Sequence, residues 1–97
     1  MRMANDWALF DPPDRLSPLP DGPLMTFLQS HRNAAVRISL RHQRRADSRV
    51  LQVLLTAGIA WRARGFGFDV ADLSPNLIRD FAHLGLNAEN SGWSSLP

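Results

Sequence analysis

Apolar residues along this chain recur in two different periods, and the alternation between them predicts the order of elements. Between Arg49 and Arg64, residues Val50, Leu51, Leu54, Leu55, Ala57, Gly58 and Trp61 return at steps of three and four. That spacing predicts an amphipathic helix with a broad buried face. On either side the period falls to two. Val36, Ile38 and Leu40 alternate with Arg37 and Ser39, and Phe66, Phe68 and Val70 alternate in "FGFDV". Both stretches predict strands with one buried face. Upstream, Leu24, Phe27 and Leu28 in "GPLMTFLQSH" predict a short helix ending near His31, with Pro23 suited to its first turn. Downstream, "LSPNLIRDFAHLGL" predicts a third helix, with Ser74 as cap, Pro75 in the first turn and Gly85 closing it.

The punctuation agrees with the periods. Gly65 follows the long helix and suits the left-handed conformation of a Schellman ending, which would bring Phe66 against Trp61. Leu86 stands in the same relation to Phe81. Strand, sixteen-residue helix, strand is the pattern of a crossover between parallel neighbours. Ile38 and Phe68 then lie on adjacent strands beneath Leu54 and Trp61. An α/β sandwich follows: a small mixed sheet with a parallel core and helices mainly on one face.

Residues 1–23 hold five of the seven prolines (Pro12, Pro13, Pro18, Pro20 and Pro23). They predict loop with short edge strands at Trp7–Phe10 and near Arg15–Leu16, still part of the domain. Residues 24–86 form the core. Residues 87–97, "NAENSGWSSLP", are polar and predict a frayed tail unless Trp93 docks. At 97 residues there is material for one core only. A chain of this size buries roughly 65% of its unfolded surface.

Composition narrows the chemistry. No cysteine is present, which excludes disulfides, thiolate nucleophiles and cysteine-ligated zinc. His31, His42 and His83 are far apart, without a helix-spaced carboxylate partner, and predict surface or capping roles; no metal or cofactor is expected. "GFG" at Gly65–Gly67 ends a helix, whereas a dinucleotide loop opens one. With no G-x-S-x-G, phosphate loop or paired carboxylates, the expectation is a protein that is not an enzyme. "MRMANDWALFDPPD" lacks the apolar run of a signal peptide, and no segment is long enough to span a bilayer, so a cytoplasmic protein is expected.

All eleven basic residues are arginine, at a net charge of only +2. Arginine-only usage suits phosphate or nucleic-acid recognition, but a GC-rich coding genome is the preferred reading of it. A grip through Arg37, Arg41, Arg44, Arg45 and Arg49 would lack a reading helix and an aromatic stacking platform, so nucleic acid is not the expected partner. The chemistry concentrates instead at "ADS", Ala46–Ser48. Either Asp47 or Ser48 can cap the long helix, and a phosphate on Ser48 would sit at a helix N-terminus beside Arg44, Arg45 and Arg49.

On these residues the chain, from about Ala35 to Leu86, resembles a STAS domain, the fold of bacterial anti-sigma-factor antagonists. The matching pattern is the strand Val36–Leu40, "DS" opening the helix "LQVLLTAGIAWRARG", a strand, and "SPNLIRDFAHLGL". It is similar in particular to small stand-alone STAS proteins of chemotaxis gene clusters. The resemblance implies a non-enzymatic signalling module that docks on another protein, with Ser48 as the phosphorylated position. The usual motif continues with a small residue and glycine, where this chain has Arg49 and Val50. The docking surface it implies runs from His42 to Gln52: His42, Arg44, Arg45, Asp47, Ser48, Arg49 and Gln52. Implied partners are an anti-sigma kinase or a chemotaxis component, or the ATPase of a lipid-transport system, for a monomer or weak dimer.

Overall fold

The computed structural model describes residues 7–13, 16, 22–45 and 47–97. Its strands are β1 (Ala8–Phe10), β2 (Val36–Ser39) and β3 (Phe68–Ala71), and its helices are α1 (Pro23–Ser30), α2 (Ser48–Ala63), α3 (Pro75–His83) and α4 (Ala88–Ser91). The strands form a parallel sheet in the order β1-β2-β3, with Ala8 opposite Val36 and Ile38 opposite Val70. The protein is thus α/β with a small parallel sheet. The described sheet is wholly parallel rather than mixed because both connections, through α1 and through α2, are long enough to cross over. Two crossovers of one hand in a 1-2-3 order put their helices on the same face. In agreement, α1 and α2 line one common valley.

The core lies between those helices and the sheet. Val36, Ile38, Phe68 and Val70 meet Leu24 and Leu28 of α1 and Leu51, Leu54 and Trp61 of α2, all buried. Full burial of one such side chain contributes about 1.5–3 kcal/mol. The Trp61 indole N–H donates to the Ala34 carbonyl at 2.9 Å, and its ring meets Phe68 edge-on at 5.7 Å. The other face of the sheet is polar: Arg37 and Asp69 are register partners, with Nε and Oδ2 3.5 Å apart.

Both long helices end as their sequences predict. Phe66 N–H donates to the Trp61 carbonyl and Leu86 N–H to the Phe81 carbonyl, over Gly65 and Gly85 at φ +84° and +85°. Ser74 caps α3 by accepting from Leu77 N–H at 3.2 Å. The tail does not fray, because Trp93 docks. Trp93 and Leu96 are buried, and Trp93 packs edge-on against Phe81 at 6.0 Å. Asp69 then accepts from both the N–H and the hydroxyl of Ser94. α4 carries a reciprocal Asn87–Asn90 capping box. The short strand expected near Arg15–Leu16 is not formed at Leu16, which is buried outside any strand; Arg15 lies outside the described residues.

Candidate functional site

Strand ends and helix starts gather at one edge of this sheet. β1 ends at Phe10 and β2 at Ser39, while α2 and α3 begin at Ser48 and Pro75 after the loops that follow β2 and β3. In open α/β sheets ligands bind outside the carboxyl ends of the strands. Of the residues singled out in the sequence, His42, Arg44, Arg45 and Asp47 lie between β2 and α2, and Ser48, Arg49 and Gln52 on the first turns of α2.

The two possible caps are resolved by geometry. Asp47 has extended backbone (φ −94°, ψ 122°), and its carboxylate accepts from Arg49 N–H at 2.8 Å. Ser48 is already the first helical residue. It is exposed, and its hydroxyl makes no hydrogen bond among the described residues. Capping by Asp47 therefore leaves the Ser48 hydroxyl available. Ala46, third member of the "ADS" hinge, lies outside the described residues.

His42, Arg44, Arg45, Arg49 and Gln52 are exposed on the segments flanking Ser48, and Asp47 is half-buried. Gln43 between them is buried; its side-chain oxygen accepts from Leu16 N–H at 3.1 Å and anchors the loop to the N-terminal segment. A depression of about 240 Å³ is lined by His42, Gln43, Arg44 and Arg45.

The five arginines of a nucleic-acid grip do not act together. Arg37 pairs with Asp69 and lies over the Trp7 ring at 4.8 Å, on the polar face of the sheet. Arg41 makes a bidentate contact with Asp11, Nε to Oδ1 at 3.1 Å. Arg44, Arg45 and Arg49 remain at the exposed rim, Arg49 with its Nε 3.7 Å from the Asp47 carboxylate.

Sequence reasoning missed the polar groups supporting this edge. Arg41 joins the end of β1 to the end of β2 through Asp11, with His42 Nε2 also 3.9 Å from that carboxylate. The Arg41 hydrogen bonds hold the Asp11 carboxyl below its ordinary value, and Asp11 raises Arg41 above its own. Asp72, at φ +61°, accepts from the buried Ser39 hydroxyl at 2.7 Å and ties β3 to β2. No sequence period marks these pairs: the partners are thirty and thirty-three residues apart.

Among the described residues, no group of three or more His, Asp or Glu is placed to hold a metal ion, and no helix is long and apolar enough to cross a membrane. Comparison with protein-family models, with curated proteins and with solved structures finds no match to this chain.

Proposed function

We propose that the chain is a non-enzymatic docking module of the STAS type, binding a signalling protein through the loop 42–45 and the first turn of α2, with Ser48 as its switch. The observation that carries this reading is the division of labour at the helix start. Asp47 supplies the cap, while the neighbouring hydroxyl is exposed and unused. A serine in that setting can be modified without removing a structural bond. A phosphate there adds about 1.5–2 negative charges at a helix N-terminus, beside Arg44, Arg45 and Arg49. The fold tolerates that charge, so the switch acts on what the partner touches: the arginines turn inward to the phosphate and the rim loses most of its positive charge.

The test is capture of a partner by immobilised wild-type chain, Ser48→Ala and Ser48→Asp, with the partner identified by mass spectrometry. Wild type and Ser48→Ala are expected to retain the same protein, and Ser48→Asp to lose it at least about tenfold, an effect of at least ~1.4 kcal/mol. Equal retention by both variants removes the switch. Undiminished retention by an Arg44→Glu/Arg45→Glu variant removes this surface as the dock. Persistence through purification separates a constant partner, such as a transporter ATPase, from a transient signalling contact.

A further inference from the structure

The geometry points to the valley between α1 and α2 as the seat of an acidic amphipathic helix from a partner protein. This deepens the docking reading and rests on it in one respect, that the occupant is a protein.

The valley has a volume of about 450 Å³. Its floor is apolar, with Met25 and Leu28 from α1 and Val53, Ala57, Ala60 and Trp61 from α2. Its ends are cationic. Arg49 stands exposed at the first turn of α2, its Nε 3.7 Å from the Asp47 carboxylate, and Arg64 caps the far end of the same helix beside Arg32. None of the described carboxylates lines it. Arg49 and the C-cap Arg64 stand fifteen positions apart along the helix, about 22 Å at ~1.5 Å per residue.

The far end is preorganised. Arg64 donates from Nε and Nη2 to the Arg32 carbonyl at 3.1 and 2.7 Å, and its guanidinium lies 4.5 Å above the Trp61 ring. The Arg32 side chain is exposed and has no ion-pair partner among the described residues.

Charge complementarity selects the occupant. An apolar stripe with negative groups at both ends satisfies this valley, whereas a fatty carboxylate has one charged head and leaves one cationic end unmet. A second copy of the chain seated by the same valley would bring arginines against arginines. An amphipathic helix of about fifteen residues spans the distance, and acidic side chains in its first and last turns reach both ends. Small residues at Ala57 and Ala60 admit it at an interaxial distance of about 8–10 Å. Arg49 and Gln52 belong both to this lining and to the rim around Ser48, so a modified Ser48 faces one acidic end of the bound helix.

The experiment titrates the isotope-labelled full chain by NMR. The probe is a synthetic helical peptide with leucines on one stripe and glutamates in its first and last turns. Lysine replaces glutamate in a control peptide, and dodecanoate serves as a second control. Shifts are expected at Leu28, Val53, Ala57 and Ala60. Ala60→Glu should abolish binding, and Arg32→Glu/Arg49→Glu should weaken it about tenfold or more while conferring binding of the lysine peptide. Circular dichroism confirms that these variants fold. Shifts elsewhere, equal binding of the two peptides by wild type, displacement of the peptide by dodecanoate, or no binding at millimolar peptide each overturns the proposal. Loss of partner capture with Ser48→Asp but not with Ala60→Glu would leave the Ser48 dock standing and the valley empty. The reverse pattern would keep the valley and remove the switch.

Discussion

Asp47 and Ser48 are adjacent and chemically able to do the same job, yet only Asp47 accepts from the Arg49 N–H, because only its backbone is extended. Asp47→Ala should therefore destabilise the fold by about 1 kcal/mol, and Ser48→Ala should stay within about 0.5 kcal/mol of wild type. Denaturant unfolding of the two variants checks this, and equal losses would mean that the hydroxyl shares the cap. The sequence made both residues candidates and could not choose between them, since the choice depends on where the chain leaves the loop. A second residue was only half legible. Gly67 reads as part of a helix ending, but its role is spatial: a Cβ there would lie 2.5 Å from the Trp7 ring. Trp7 is itself held under Arg37, so it cannot simply move aside. Gly67→Ala should cost about 1–3 kcal/mol, and this loss should largely vanish in a Trp7→Ala background, a non-additivity that a double-mutant cycle detects.

At the scale of elements, what the sequence showed well is what local chemistry decides. The ends of α2 and α3 are written in Gly65-Phe66 and Gly85-Leu86, and the structure closes both with the bonds that pattern implies. The tail was harder because its order comes from residues remote in the chain. Trp93 meets Phe81, and Ser94 meets Asp69 twenty-five residues away. A polar composition predicts fraying, and the long-range contacts overrule it. The Trp93 indole N–H is buried without a hydrogen-bond partner among the described residues, so the ring is there for its area rather than its polarity. Trp93→Ala should cost about 3–5 kcal/mol. Trp93→Phe keeps most of the apolar contact and deletes an unsatisfied donor, and should cost under about 1.5 kcal/mol. Thermal unfolding of both variants separates packing from hydrogen bonding; a Phe variant as damaged as the Ala variant would show that the indole itself is required.

For the whole molecule, the alternating strands β2 and β3 and the helix between them imply their own parallel pairing, but the place of β1 does not follow from them. Its three residues carry little pattern, and the Pro-rich stretch after it hides that α1 completes a second crossover. Beyond its backbone pairing, β1 is held by Phe10 stacking on Phe27 of α1 at 4.9 Å and by the Asp11–Arg41 contact that joins its end to the end of β2. That contact sets a pH dependence whose sign follows from the direction of the shift. Arg41 remains protonated throughout the acid range, so only Asp11 titrates. Its carboxyl is held below the unfolded value of about 3.9, chiefly by the Arg41 hydrogen bonds. The stabilisation is therefore fully present above the unfolded value, and it is lost as pH falls below about 4 and through the lower folded value. The contact is solvent-exposed, so salt weakens it. Asp11→Asn should lower stability at neutral pH and flatten the acid limb of the stability profile, bringing the two proteins together at low pH. Denaturant midpoints measured from pH 7 down to 2 check this, and a constant gap between the curves would show that Asp11 acts through its shape and not its charge.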